Sequence, residues 1–136
     1  MRLETNEESF RSGERRMVRK IGGVRIHYNS KIPKLASVFF PVAAITIGNH
    51  IFVKEELPPL RLITHEKIHV LQGREIGFLK FWGLYGYFWI KALIKTRSPF
   101  DAYLKIPFER EAYGNEDDPN YPVTRKRGAW KDYKIT

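Results

Sequence analysis

Apolar and polar residues alternate along Val24-Arg25-Ile26-His27-Tyr28, which predicts a half-buried strand ending at Asn29-Ser30. A second alternation, Ala43-Ile45-Ile47 and Ile51-Val53, flanks Gly48-Asn49, a residue pair suited to a tight two-residue hairpin. After Pro58-Pro59 the period lengthens. A helix is expected from Leu60 to Gly73 or a little beyond, because proline is tolerated in a first turn. Ile63, Ile68 and Leu71 fall roughly on one side of it, with Lys67 among them, so it is not cleanly amphipathic. Between Phe78 and Ile94, aromatic residues recur at spacings of three and four, and glycines 77, 83 and 86 lower helix propensity. Packing must therefore hold that second helix. A core-facing aromatic stripe is its expected role, with a hydrophobic substrate groove or a membrane contact as the alternatives.

Ser98-Pro99 pairs an N-cap with a first-turn proline and predicts a short helix from Pro99 to Lys105. Pro107 opens another, Phe108 to Tyr113, ended by Gly114. Asn115 to Pro122 reads as a loop, and the basic end, with Trp130 and Tyr133, as a tail laid back on the body. Ile32 to Pro41, interrupted by two prolines, gives no clear pattern. Residues 1–20 alternate charges with few apolar anchors and predict a mobile or loosely docked arm. The expected organisation is that arm followed by one domain, residues 21–136, with a basic C-terminal tail. Its fold class is α+β: N-terminal antiparallel strands and a hairpin, then three principal helices.

Composition narrows the partners. The 136 residues carry 24 Lys and Arg against 15 Asp and Glu, a formal charge of +9, distributed as Arg15-Arg16, Arg19-Lys20 and Arg125-Lys126-Arg127 with single lysines between. A solvated basic surface accounts for this, and the basic ends offer an anionic partner a place to bind. There is no cysteine, which excludes disulfides and any thiolate metal site. Met1 to Glu8 lacks the apolar core of a signal peptide, and Phe78 to Ile94 is short, with Lys80 and Lys91 inside it. Neither a transmembrane segment nor export is expected, which points to the cytoplasm.

The chemistry concentrates in His65-Glu66-Lys67-Ile68-His69. On a helix the two histidines project from one face and can reach one metal ion, while Glu66 can orient and deprotonate a metal-activated water. Two histidines need a third protein ligand. His27, His50, Glu109 and Glu111 are the candidates. Glu109 and Glu111 lie two residues apart on a helix, so only one of them should face the metal.

A His-Glu-x-x-His helix followed some tens of residues later by Glu-x-x-Ala, here Glu109-Arg110-Glu111-Ala112, resembles the gluzincin metallopeptidases. The resemblance covers about Ile45 to Tyr113 and includes the hairpin placed before the motif helix. It implies a small zincin-like core, Zn2+ held by His65, His69 and Glu109, and Glu66 as general base in peptide-bond hydrolysis. One departure stands out: relatives often place an aspartate after the alanine, where this chain has Tyr113.

Tyr103, Tyr113, His50 and Arg110 are candidate donors to the oxyanion, and strand Ile51 to Val53 is the expected partner for an extended peptide or protein substrate. Two alternatives compete. One is a catalytically silent zincin-like binding module; the other is a basic nucleic-acid or membrane-surface binder whose motif is accidental.

Overall fold

The computed structural model describes residues 18–21, 23–36 and 42–135. The fold is α+β, with a four-stranded sheet against a set of helices. Strands β1 (Val18–Ile21), β2 (Val24–His27), β3 (Ala44–Ile47) and β4 (His50–Val53) lie in the order β1-β2-β4-β3. The β1-β2 and β3-β4 pairs are antiparallel, as hairpins must be, but β2 pairs β4 in parallel. The sheet is therefore mixed, where the pattern of strands predicted antiparallel pairing throughout. The reason is the strand order: after helix α1 (Lys31–Ala36), β3 starts at the end of the sheet where β2 finishes and runs antiparallel to it one place removed, so β4, returning between the two, runs parallel to β2. The β3-β4 turn sits at Gly48-Asn49, and Gly48 takes φ +61° at the first central position, as a type II′ turn asks.

Of the expected arm, residues 1–17 lie outside the described residues, and the rest is corrected. Val18 to Lys20 belong to β1, paired with β2 from Val18–His27 to Ile21–Val24. Four residues of an edge strand are held by backbone hydrogen bonds, which a reading of side-chain polarity does not register.

Helix α2 (Leu60–Ile76) crosses the sheet, followed by α3 (Phe78–Thr96), α4 (Pro99–Lys105), α5 (Pro107–Asn115), α6 (Tyr121–Thr124) and a final 3-10 turn (Ala129–Asp132). Helix α5 runs through Gly114 instead of stopping there, and α6 interrupts the predicted loop from Asn115 to Pro122. None of the helices of the described residues is long and apolar enough to cross a membrane.

Two apolar clusters flank α2. Val24, Ile26, Ile51 and Val53 of the sheet pack against Ile63 and Val70, and Phe81, Ile106 and Phe108 form the second cluster with Phe88 and Trp130 around them. Complete burial of each such side chain contributes roughly 1.5–3 kcal/mol relative to exposure. Because α2 is covered on opposite sides, it buries His65, Glu66, His69 and Gln72 as well as its aliphatic residues. That is the physical reason its sequence is not amphipathic.

The chain's end does lie on the body. Trp130 packs on Phe108 at 4.8 Å between ring centroids. Its basic run is less available to an anionic partner than the sequence suggests. The Arg125 side chain is only 5% exposed, with Nε on Glu111 at 2.7 Å and Nη1 on Glu75 at 3.2 Å. Burial works against the charge on that guanidinium, yet Glu111 and Glu75 outweigh it and hold Arg125 firmly protonated.

Candidate metal centre

His65 and His69 point from α2 toward α5. Helix α5 can come close because Ala112, fully buried, stands one turn after Glu109 on the same face. The ring nitrogens and a carboxylate converge. His65 Nε2 and His69 Nε2 are 3.1 Å apart, His65 Nε2 is 3.1 Å from Glu109 Oε2, and His69 Nε2 is 3.2 Å from Glu109 Oε1.

The remaining hydrogen bonds decide what those atoms present to one another. The Gln72 amide nitrogen faces two acceptors, the Phe108 carbonyl at 3.1 Å and Glu111 Oε2 at 2.8 Å. Its oxygen must therefore face His69, where it accepts from Nδ1–H at 2.8 Å. On the other histidine, Nδ1 donates to Glu116 Oε2 at 2.8 Å, and the second Glu116 oxygen is paired with Arg61. Both imidazoles thus carry their proton on Nδ1 and turn an Nε2 lone pair toward the Glu109 carboxylate.

Four electron-rich atoms, the two Nε2 and both Glu109 oxygens, with successive contacts of about 3 Å, repel unless a cation lies among them. Ligand atoms of a tetrahedral zinc at about 2.0–2.1 Å would stand roughly 3.3 Å apart. The 3.1 Å between the two Nε2 atoms comes near that spacing, as do the 3.1 and 3.2 Å from each of them to its own Glu109 oxygen. The donor set, two imidazoles and one carboxylate, is also that of catalytic zinc sites.

Without an ion, a proton takes the place. Burial would lower His69, but Glu109, and after it Glu66, outweigh burial and raise its pKa from 6.5 to about 9. Burial would likewise raise the Glu109 carboxyl, yet His69 and His65 beside it hold it well below the usual carboxylate range.

A pH prediction follows for chelator-treated protein. His69 binds its proton more tightly folded than unfolded, so its contribution to stability is complete below about pH 6.5 and is lost as pH rises through 9. Glu109 has the opposite sign, its contribution being lost only as pH falls into the acid range. Denaturant midpoints of the metal-free protein should decline between pH 6.5 and 9, with a slope of up to about 1.4 kcal/mol per pH unit. A flat profile over that window would contradict the proton-sharing account. Zn2+ competes with the same proton, so its affinity should rise over the same window.

Glu66 stands beside this group. Its Oε2 accepts from the Thr46 hydroxyl at 2.6 Å, and Thr46 is buried on β3. The Tyr85 hydroxyl donates to Glu109 Oε1 at 2.7 Å. Burial, and then Glu109, raise the Tyr85 phenol well above its ordinary value, so it stays protonated and can keep donating. A cleft of about 570 Å³ opens over the site between residues 42–46 and the α3 side chains Trp82, Tyr85 and Trp89.

The structure distributes the sequence candidates clearly. His65, His69 and Glu109 come together and Glu66 lines the same cleft. Glu111, the rival ligand, points elsewhere: it accepts from Gln72, Tyr121 and Arg125. His27 and His50 pair with each other at 2.9 Å on β2 and β4, away from the cleft. Of the four oxyanion candidates, Tyr103 and Tyr113 line the cleft, with hydroxyls 3.0 Å apart. His50 does not line it, and Arg110 reaches the Lys134 carbonyl instead.

The substrate-strand expectation is corrected too. β4 is an interior strand, bonded to β2 and β3, whereas β3 is an edge strand and borders the cleft.

Four residues that hydrogen-bond to this group escaped the sequence reading: Gln72, Glu116, Thr46 and Tyr85. Gln72 follows His69 by three and His65 by seven, and Glu116 follows Glu109 by seven, so helical periodicity alone would have placed both on the ligand faces. Glu116 supplies the brace for which Tyr113 stood as a departure. Nothing local marks Thr46 or Tyr85, which arrive from other elements.

Gln72 offers a direct test. Changing Gln72→Leu removes the acceptor for His69 Nδ1–H and is expected to weaken zinc affinity about 10–100-fold. Competition against a chromophoric chelator would measure it, and an unchanged affinity would remove Gln72 from the site.

The family model described as the eCIS core domain matches residues 5–77, just over half of the 136-residue chain. That span holds His65, Glu66 and His69 and stops before α3 and α5. No curated protein and no solved structure matches the chain.

Proposed function

We propose that this chain, which belongs to the eCIS core domain family, is a zinc-dependent hydrolase of peptide bonds, with a minimal gluzincin-type site. The observation that carries the reading is the convergence of His65 Nε2 and His69 Nε2, 3.1 Å apart, on the Glu109 carboxylate, whose Oε2 lies 3.1 Å from the first and Oε1 3.2 Å from the second. Both imidazole tautomers there are set by Glu116 and Gln72. His65, His69 and Glu109 would hold the ion. A bound Zn2+ supplies Lewis-acid polarisation of a carbonyl and lowers the pKa of a coordinated water toward neutrality.

The chain's own residues supply the rest. Glu66 takes the proton of the attacking water on its carboxylate and passes it to the departing amine. Thr46, donating to Glu66 Oε2, fixes which oxygen is free for that transfer. Tyr85 keeps Glu109 oriented from its outer side. Tyr103 and Tyr113 are protonated hydroxyls at the cleft; burial raises both, and Glu109 adds to it. They are the donors in reach of a developing oxyanion. The substrate backbone would lie along β3, the edge strand that borders the cleft.

Nucleic acid fits this cleft poorly. Glu66, Glu109 and Glu116 line it and, among the described residues, no lysine or arginine does, although the chain as a whole is strongly basic.

The test is elemental analysis of purified protein beside cleavage of a degenerate peptide library, with and without chelator. About one zinc per chain and chelator-sensitive cleavage would establish the activity. Zinc without cleavage of any peptide would leave a metal-stabilised binding module, and no zinc would sink both.

A further inference from the structure

The proposed hydrolytic residues leave Trp82, Gly86 and Trp89 of the cleft lining without a role. Trp82, Gly86 and Trp89 follow one another at spacings of four and three and so share a face of α3. Two polar tips on this α3 wall are already engaged: Trp89 Nε1–H donates to the Pro99 carbonyl at 3.2 Å, and the Tyr85 hydroxyl to Glu109 at 2.7 Å. The rest of the wall toward the cleft is predominantly ring carbon.

Gly86 is the unusual member. It stands in the middle of a 19-residue helix, where glycine is disfavoured, and no left-handed φ requires it. A Cβ added there would meet nothing within 4 Å. No close approach of the fold demands the missing side chain; its absence deepens the cleft between two indoles. The charged groups of the cleft are the carboxylates Glu66, Glu109 and Glu116 beside the histidines, so an acidic ligand side chain is opposed.

We propose that the α3 wall is a specificity subsite, floored by Gly86, that seats one large apolar side chain, aromatic or long aliphatic, of a peptide substrate. The proposal rests on the hydrolase reading above and adds its substrate class. A peptide extended along β3 turns alternate side chains to opposite sides, so one residue beside the scissile bond faces Gly86 while its neighbours face away.

The experiment uses zinc-loaded full-length protein and a set of quenched fluorescent peptides that differ at one position: Ala, Leu, Phe, Trp or Asp. The same peptides, unlabelled, are titrated by calorimetry into the Glu66→Gln variant, which reads binding without cleavage. The Phe peptide should exceed the Ala peptide by about tenfold or more in kcat/KM and in affinity, with Asp the poorest. In Gly86→Phe, which improves helix propensity and fills the floor, the Phe-to-Ala ratio should collapse toward one. Gly83→Phe, on the same helix but outside the cleft lining, should keep it.

Cleavage with no apolar preference, or a ratio that survives Gly86→Phe, overturns the subsite while leaving the hydrolase. Selective binding of the Phe peptide that Gly86→Phe abolishes, with no cleavage of any peptide, supports the subsite while the hydrolase reading fails.

Discussion

Glu66→Gln should retain about one zinc per chain and lower hydrolysis by roughly two to four orders of magnitude, the usual contribution of a positioned general base. The amide is close in size to the carboxylate and still offers an oxygen to Thr46, whose hydroxyl donates at 2.6 Å. The fold around it should therefore persist. What disappears is the ability to accept a proton from water. The loss belongs in kcat with little change in KM, because Glu66 is not among the three atoms that converge on the ion site. Metal content by mass spectrometry and single-turnover cleavage measure the two halves separately. A variant with full activity would remove Glu66 as the base. A variant without zinc would make it a ligand or a structural support.

Removing a ligand should act on the metal instead. His65→Ala and Glu109→Ala each leave two of the three convergent donors and should lose stoichiometric zinc on dialysis. Wild-type protein with zinc at about one hundred times its dissociation constant gains roughly 2.7 kcal/mol of stability by mass action. Chelation should accordingly lower its melting temperature by several degrees, and neither variant should respond to chelator.

Glu111→Ala provides the contrast. It leaves Arg125 in a nearly closed environment with only Glu75 as a charged partner, and breaking such a pair costs about 3–5 kcal/mol. Its melting temperature should fall further than that of Glu109→Ala, yet any folded protein should still bind zinc. Zinc lost in Glu111→Ala and kept in Glu109→Ala would reverse the assignment that the geometry makes.

The local order of the chain was legible from its residues. Strand β2, the hairpin around Gly48-Asn49, and helices α2, α3 and α4 follow from periodicity, glycine and proline placement, and one serine cap. So did the grouping of His65 and His69, since a four-residue spacing on a helix needs no tertiary information. The aromatic stripe of α3 was only half legible. Its pattern announces burial, but the stripe divides: Phe88 turns to Phe108, Trp82 walls the cleft, and Phe81, Tyr85 and Trp89 touch both. A period of 3.6 fixes which residues share a face and says nothing of what stands opposite.

The sequence by itself determined the α+β class, the motif helix and the donor types available for a metal. Tertiary structure alone decided that Glu109 and not Glu111 meets the histidines, because that depends on the rotation of α5 against α2, set by Ala112 and Phe108. It also decided that Glu116 and Gln72 fix the imidazole tautomers and that β3, not β4, is an edge strand. Spacing along a helix is a local geometric constant; the partner across an interface, and the strand left at an edge, depend on contacts between segments far apart in the chain.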